Sequence, residues 1–264
     1  MEPILSLRGL SRDFVTRGRV IQAMAGLSLD VGAGEFLTIV GPSGCGKSTL
    51  LNIVSGLLPP SGGDVLYKGT PVGGVNTEIG YVTQADNLYP WRTLRANVEF
   101  PLEIRRVPRA ERARRATALI ERVGLGGFED HYPYELSGGM RQRANIIRTL
   151  VYDPEVILMD EPFGPLDAQT RLILQDQLLG LWDAARKTIV FITHDLAEAV
   201  ALADRVVVMT ARPGRIKRIC PVPLKRPRDL FHLHDHEQFR VTYDTLWDDL
   251  EEEVMKAAET WRRV

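Results

Sequence analysis

The sequence feature that most constrains this chain is the segment GPSGCGKS at residues 41–48, which fits the pattern G-x-x-x-x-G-K-[ST] in full. An apolar run at residues 36–40 precedes it, and a helix-like run at residues 49–54 follows it. In this strand–loop–helix context the glycines let successive backbone N–H groups point at one anion, and the helix N-terminus adds partial positive charge. We predict that Lys47 contacts the β and γ phosphates of a nucleoside triphosphate and that Ser48 ligates Mg²⁺.

The whole segment is a candidate nucleotide-binding loop. Its predicted contact residues are Gly41, Pro42, Ser43, Gly44, Cys45, Gly46, Lys47, Ser48 and Thr49. The alternative is a glycine-rich turn that carries a lysine by chance. The motif by itself leaves kinases, GTPases, motors and transporters open.

A second group of candidate residues follows the apolar run at residues 156–159, which ends in Asp160 and Glu161. Side chains alternate along a strand, so these two carboxylates are expected to point in different directions. Asp160 is predicted to hold Mg²⁺ through water, and Glu161 to act as general base on the attacking water. The alternative is a strand that ends in two solvated acids.

The pattern of apolar segments predicts an α/β fold. Apolar runs at residues 156–159 and 188–193 flank a helical stretch at about 168–186, and a third run follows at 205–209. Continuous apolar strands that alternate with helices indicate a parallel sheet covered on both faces. The first third of the chain is rich in short apolar runs bounded by glycines, which favours β-structure.

Two further regions are predicted to be helical. Residues 105–123 show helical spacing, with Pro108 near the start, within a mostly helical insert at about 86–133. Beyond residue 221, prolines give way to a helix with one apolar face. The residues predicted on that face are Phe239, Tyr243, Leu246, Trp247, Leu250 and Val254.

Composition narrows the class of protein. The 264 residues carry a formal net charge of −1, so no global field would attract nucleic acid or an anionic membrane, and no nucleic-acid partner is expected. The sequence has no apolar stretch of about 20 residues and no signal-like start, which predicts a cytosolic chain. Two cysteines, Cys45 and Cys220, do not make a disulfide scaffold.

The segment LSGGMRQR at residues 136–143 resembles the signature of the ABC ATPase family, usually written L-S-G-G-Q, with Met140 in the last position. Serine and two glycines at a helix N-terminus suit an anion-binding site. The resemblance therefore implies that Ser137, Gly138 and Gly139 contact the γ phosphate of ATP across a dimer. Two chains would stack head-to-tail, each ATP lying between one phosphate loop and the other chain's signature.

The resemblance implies a P-loop NTPase fold of the ABC cassette type, with ATP and Mg²⁺ as cofactors. The expected parts are an N-terminal antiparallel β region, a RecA-like parallel-sheet core and an inserted helical subdomain. In this chain they correspond to residues 1–85 and 134–221 for the ATPase core, 86–133 for the insert and 222–264 for a C-terminal helical tail. The implied reaction is ATP + H₂O to ADP + phosphate, coupled to transmembrane transport.

Four single residues fall in family order. Gln84 resembles the Q-loop glutamine that senses Mg²⁺ and the attacking water, and Asp167 the D-loop acid that links the two sites. His194 resembles the switch histidine on the γ phosphate, and Phe14 the aromatic that stacks on adenine. Each also has an ordinary interpretation, as a surface polar residue or, for Phe14, as part of the core.

One uninterrupted cassette of this size is typical of bacterial importers. Residues 88–98, the signature with its methionine and the tail at 224–229 resemble the nitrate/sulfonate/taurine importer ATPases. That family implies separate transmembrane permease subunits, a periplasmic or extracellular solute-binding protein, and a peripheral location on the cytoplasmic side of the inner membrane. Tyr89 and Trp91 are candidates for the permease contact, with ordinary packing of the helical region as the alternative.

Two other function classes stay open. A soluble ABC ATPase that acts on a macromolecule is the main alternative, and a small-molecule P-loop kinase is the weaker one. The paired ATPase could be a second copy or a homologous chain, and the transported solute is not encoded here. His232, His234 and His236 alternate along the chain, which fits either a metal site or a solvated loop.

Overall fold

The structure is a computed structural model that describes residues 2–16 and 18–262. The strands are β1 (Leu5–Thr16), β2 (Arg19–Val31), β3 (Phe36–Val40), β4 (Gly62–Tyr67), β5 (Thr70–Pro71), β6 (Ile79–Val82), β7 (Val156–Asp160), β8 (Thr188–Ile192), β9 (Arg205–Met209) and β10 (Ile216–Pro221). The helices are α1 (Lys47–Val54), α2 (Leu94–Ile104), α3 (Arg109–Arg122), α4 (Gly138–Leu150), α5 (Ala168–Ala185), α6 (Leu196–Leu202) and α7 (Glu237–Arg262). Short 3-10 turns lie at Pro133–Glu135 and Leu233–Asp235.

The centre of the fold is a six-stranded sheet in the order β10-β9-β3-β8-β7-β6. Its strands pair in parallel, except that β10 is antiparallel to β9 at one edge. Strands β3, β7 and β8 are buried at every position, as expected for a sheet covered on both faces. The predicted α/β class with a parallel sheet is therefore confirmed, and the antiparallel edge strand is an addition.

Alternate residues of each central strand enter different apolar cores. In β3, Phe36 and Val40 pack with residues of α5, α6 and α7, whereas Leu37 and Ile39 pack with residues of β1, β2 and α1. A second, antiparallel sheet in the order β2-β1-β4-β5 covers the latter face. This sheet is the antiparallel β region that the family resemblance implied.

A helical lobe lies beside the sheet and has its own apolar core. The Thr93 hydroxyl accepts a hydrogen bond from Ala96 N at 3.3 Å and starts α2, and Pro108 is the residue before α3. Leu94, Val98, Leu102, Ala116 and Ile120 form this core together with Ala144 and Ile147 of α4 and with Val151, which follows that helix. The core of the lobe thus includes the helix that follows residue 133, and the division of the chain at that residue stays a prediction.

The tail helix α7 packs on α6, β9 and β10. Phe239, Leu246 and Leu250 are buried and Tyr243 is half-buried, as the helical periodicity predicts. Two residues predicted on that face differ, because Trp247 and Val254 are 45% and 46% exposed. The buried face of α7 includes Glu253 instead, and Glu253 contacts a loop of the core.

Among the described residues, no helix is both long enough and apolar enough to cross a membrane. The described part of the chain likewise contains no group of three or more His, Cys, Asp or Glu residues arranged to hold a metal ion. His232 pairs with Asp229 at 2.7 Å, and the His234 ring lies edge-on to Phe239. The three alternating histidines therefore do not converge on one point.

Candidate active site

The phosphate loop folds as the motif predicts. Gly46 has a φ of 104° and lies directly before α1, a conformation that a side chain would strain. Lys47 is buried, and its ammonium group donates to the carbonyls of Gly41 at 2.8 Å and Pro42 at 3.2 Å. The loop therefore closes around its own lysine, which fixes a cation at the start of the helix.

A cavity of about 540 Å³ opens above this loop. The predicted site residues that line it are Phe14, Ser43, Gly44, Gly46, Lys47, Ser48, Thr49, Gln84 and Glu161. Behind the loop, Gly41 backs onto Met209, and Cys45 is buried. Burial raises the pKa of the Cys45 thiol above its ordinary value, which keeps it neutral beside Lys47.

Asp160 ends β7 and is almost fully buried next to Ser48. Burial is the main cause that raises the pKa of Asp160, and the charge of Glu161 adds to it. A hydrogen bond with Ser48 and the charge of Lys47 act in the opposite direction. A buried carboxylate with a hydroxyl beside it and an amide oxygen at Gln84 nearby is a set of hard oxygen donors, which suits Mg²⁺ bound together with phosphates and water.

Glu161 is the point on which the remaining catalytic candidates converge. Its Oε2 accepts a hydrogen bond from Gln84 Nε2 at 3.3 Å and lies 3.1 Å from Nδ1 of His194. The backbone of Glu161 has a φ of 46°, in the left-handed region, and its N–H donates to Ile192 O at 2.9 Å. A non-glycine residue held in this region carries local strain of a kind that clusters at functional sites.

The signature segment lies elsewhere. Ser137 is the N-cap of α4, and its hydroxyl accepts from Met140 N at 3.3 Å. Asp167 caps α5 in the same way, accepting from Thr170 N at 3.0 Å, and the hydrogen bonds with Thr170 lower the pKa of Asp167. Gly139 packs closely against Thr170, which brings the two caps side by side.

Ser137 and Asp167 are exposed, and neither is among the described residues that line the cavity. The chain therefore brings the phosphate loop, Asp160, Glu161, Gln84 and His194 together and holds the signature segment and Asp167 on a separate surface.

Three cavity residues were missed by sequence reasoning. Ile21 and Ala23 of β2 line the cavity beside Phe14, whose ring lies 4.8 Å from the guanidinium of Arg12. Arg212 also lines it, from the turn after β9. The only sequence signal for Arg212 is the turn-like Pro-Gly that follows it, which marks a bend without indicating a ligand.

A comparison with protein families agrees with this geometry. Residues 24–164 match the family described as ABC transporter. The chain belongs to the ABC transporter family. It is an ATP-binding subunit of the ABC type and hydrolyses ATP.

Curated relatives match nearly the whole chain. An uncharacterized ABC transporter ATP-binding protein of Methanocaldococcus jannaschii is 52% identical over 229 residues, covering 87% of this chain and 86% of the relative. A taurine import ATP-binding protein of Roseobacter denitrificans is 42% identical over 263 residues, covering 97% and 98% of the two chains.

Solved structures give the same result. A dimeric ATP-binding cassette in a post-hydrolysis state, bound to ADP and Pi, has a TM-score of 0.76 and 32% identity, covering 84% of this chain and all of that one. A Clostridium perfringens cassette that is part of an ABC transporter complex has a TM-score of 0.74 and 26% identity, covering 84% of this chain and 89% of that one. The predicted ABC cassette fold is confirmed.

Proposed function

We propose that this chain is the ATPase subunit of a bacterial importer that takes up a small solute of the nitrate, sulfonate or taurine type through separate transmembrane subunits. The observation that carries the proposal is an exposed apolar groove between the sheet core and the helical lobe, which shares no lining residue with the nucleotide cavity. The likeness to a taurine import ATP-binding protein over 97% of the chain supports the same direction.

The groove has a volume of about 420 Å³ and is lined by both lobes. Leu57 and Val75 of the core lobe are 57% and 63% exposed, and Ile104 at the end of α2 is 64% exposed. Three large apolar side chains exposed along one concave surface favour an interaction site over ordinary surface. A short amphipathic helix of a permease subunit fits such a groove.

The segment at residues 89–93, which borders the groove, is held by hydrogen bonds with Asn97. The amide of buried Asn97 donates to the carbonyls of Tyr89, Arg92 and Thr93 at 2.9–3.1 Å, and its oxygen accepts from Tyr89 N at 2.7 Å. Tyr89 lines the groove, and Trp91 packs against it with ring centroids 5.5 Å apart. We therefore keep both aromatic residues as candidate permease contacts.

In the proposed reaction, the triphosphate binds over residues 41–49 and Phe14 stacks on adenine. Ser48, Asp160 and Gln84 would hold Mg²⁺, which would supply positive charge at the triphosphate. Glu161 accepts a proton from the water that attacks the γ phosphorus, the bond from that phosphorus to the ADP oxygen breaks, and ADP and phosphate are released. His194 contacts the Glu161 carboxylate and the γ phosphate and so positions one relative to the other. Lys47 stabilises the charge that develops on the phosphate.

The signature of a second ATPase chain completes this site in our proposal, through its Ser137, Gly138 and Gly139, with Asp167 linking the two sites. The outward-facing N-terminus of α4 supports this arrangement, because its N–H groups suit an anion. The partner is a second copy or a homologous ATPase chain. Closing and reopening of the pair would move the permease between its two states.

The first test is extraction of the native complex in mild detergent, with partners identified by mass and the ATPase rate recorded. We expect recovery with a multi-span permease and a solute-binding protein, from the cytoplasmic side of the inner membrane. Recovery from the cytosol alone, with ATPase activity stimulated by nucleic acid or ribosomes, would replace the importer with the soluble-machine alternative.

A variant pair tests the groove itself. Ile104→Asp places a charge in the groove and is expected to reduce co-purification of the permease by at least tenfold, because a buried unpaired charge costs several kcal/mol and each 1.4 kcal/mol is about tenfold in affinity. Val241→Asp alters a residue of similar exposure on α7, 59% against 64%, and should leave recovery unchanged. Equal recovery with both variants would remove the groove from the docking role.

A further inference from the structure

Besides packing on α6, β9 and β10, the tail helix α7 contacts the turn at residues 210–215, which joins β9 to β10. Glu253 is buried on α7, and its Oε2 accepts a hydrogen bond from the backbone N–H of Ala211 at 2.8 Å. Burial favours the neutral acid, but the Ala211 N–H together with Lys256 and Lys217 lowers the pKa of Glu253 below its ordinary value. The carboxylate is therefore ionised where it anchors the turn.

The opposite side of the same turn contacts the phosphate loop. Arg212 donates from Nε at 3.3 Å and from Nη2 at 3.1 Å to the carbonyl of Gly44. Gly214 approaches the loop so closely that a Cβ there would lie 2.1 Å from the carbonyl oxygen of Cys45. The backbone of Gly214 also bonds to Ala23 and Ala25 of β2, at 2.9 and 3.1 Å. The turn is thus held between the tail helix, the N-terminal sheet and the phosphate loop.

Arg212 has a different setting from Lys47, although both line the cavity. The Lys47 ammonium is buried among loop carbonyls, whereas the Arg212 guanidinium lies at the exposed rim, beside Gly44. A guanidinium has five N–H donors in a fixed fork, and it binds phosphate oxygens through charge-assisted hydrogen bonds. Its contact with a single carbonyl orients this fork at the mouth of the cavity.

We propose that Arg212 is a binding residue for the phosphates of the nucleotide, and that Glu253 is its positioning residue. The C-terminal helix thereby sets the affinity of the site for ATP. Glu253 fixes the backbone at residue 211, the next residue carries the guanidinium, and the guanidinium contacts the loop that binds phosphate. This role concerns nucleotide binding by the single chain and does not depend on the importer proposal.

The test is nucleotide binding by the purified full-length chain, with ATP, ADP and adenosine as probes. Arg212→Gln is expected to raise Kd for ATP and ADP by roughly tenfold, the usual size of one lost charge-assisted hydrogen bond, and to leave the Kd for adenosine unchanged. Kd for ATP within twofold of the unchanged protein would overturn the proposal.

Glu253 is tested by three variants. Glu253→Ala removes the acceptor of the Ala211 N–H and is expected to raise Kd for ATP about three- to fivefold, since one neutral-donor hydrogen bond is lost. Glu253→Gln keeps an acceptor oxygen and should restore Kd to within twofold. Glu252→Ala is the matched control, because Glu252 also pairs with Lys217 and Lys256 but not with the turn.

The double variant Arg212→Gln with Glu253→Ala should bind ATP no more weakly than Arg212→Gln alone, because the two residues act through one contact. Multiplied effects would show that Glu253 acts independently of Arg212 and would overturn its positioning role. That role is also overturned if Glu253→Ala lowers the melting temperature of the apo chain while Kd for ATP stays unchanged, since Glu253 would then be only structural.

Discussion

The phosphate-loop side of the molecule and the signature side each place a polar residue at the N-terminus of a helix. The polar residues of the first side converge on one cavity, whereas those of the second side stay exposed. On the phosphate-loop side, Lys47, Gln84, Glu161 and His194 come from four separate segments and contact each other or one cavity. On the signature side, Ser137 and Asp167 each cap their own helix and remain exposed.

The difference teaches that one chain gathers the phosphate loop and its acids around one cavity and, in our proposal, presents the second half of a shared site outward. Tertiary contacts bring the residues of the phosphate-loop side together, because the carboxyl ends of the strands of a parallel sheet lie at one edge. The signature side is shaped by the hydrogen bonds that cap α4 and α5 and by the packing of Gly139 against Thr170. This division agrees with the proposed head-to-tail dimer, and four variants test it.

Glu161→Gln is expected to have the largest effect. It removes the proposed general base while keeping the side-chain shape, so hydrolysis should fall by roughly 10²–10⁴-fold. ATP binding should be retained, because the phosphate loop is unchanged. The measurement is single-turnover hydrolysis beside equilibrium ATP binding, and near-normal hydrolysis would remove Glu161 from this role.

Gly138→Asp tests whether the signature acts on the nucleotide of its own chain or on that of a partner chain. A Cβ at Gly138 would meet only Arg141 Nη2 at 3.9 Å, and an acid in the first turn of a helix is favourable, so the chain should fold normally. We expect hydrolysis to fall by roughly 10²-fold, as for a lost oxyanion donor, with ATP affinity of the single chain unchanged.

Gly180→Asp is the control for this variant, since it adds the same charge to an exposed helical glycine where an added Cβ would have no atom within 4 Å. It should hydrolyse ATP normally. If Gly138→Asp weakened ATP binding by the isolated chain, the signature would act within its own chain and the comparison would fail.

Phe14→Ala tests how far the first half extends into the N-terminal sheet. Loss of stacking on adenine should weaken binding of both ATP and adenosine by roughly tenfold, within the range for one base on an aromatic ring. The contrast with Arg212→Gln, which should spare adenosine, separates base from phosphate contacts. Phe231→Ala, at an exposed phenylalanine of the tail, should change neither affinity.

Glu198→Gln should have the smallest effect on catalysis and a measurable one on stability. Glu198 is buried on α6, four residues after His194, and accepts from Gln175 Nε2 at 2.7 Å. Burial is the main cause that raises its pKa to about 7, and the charge of Asp195 adds to this; hydrogen bonds with Thr193 and Gln175 and the charge of Arg171 oppose it.

Because the folded pKa of Glu198 lies above the unfolded value, the folded state binds the extra proton, and stability falls as pH rises from about 4.5 through 7. The glutamine cannot ionise, so the variant should be more stable than the unchanged chain by about 1–3 kcal/mol at pH 8 and equal to it near pH 4.5. Denaturant titrations at both pH values give the measurement. A variant less stable at pH 8 would contradict the raised pKa of Glu198. Hydrolysis changed more than twofold would contradict a purely structural role.

Sequence patterns predicted the elements whose residues are contiguous in the chain. The phosphate loop, the acid pair at the end of β7 and the apolar strands at residues 188–193 and 205–209 each lie within a few residues, so spacing alone predicts them. The signature was recognised from its sequence pattern. That pattern does not give the packing that separates the signature from the cavity. The predicted apolar face of α7 was wrong at Trp247 and Val254, because periodicity gives a helix face without telling which neighbour covers it.

The sequence by itself determined a loop of the phosphate-binding pattern and the two acids that follow strand β7, because these depend on residues close in the chain. The ABC cassette fold followed from the resemblance of its motifs to that family. Only the tertiary structure decided that Gln84 and His194 meet on one oxygen of Glu161, across separations of 77 and 33 residues. It also decided that Glu253 and Gly44 are linked through the turn at residues 211–212. Such contacts are set by how the sheet and the tail helix pack, and packing depends on the whole chain at once.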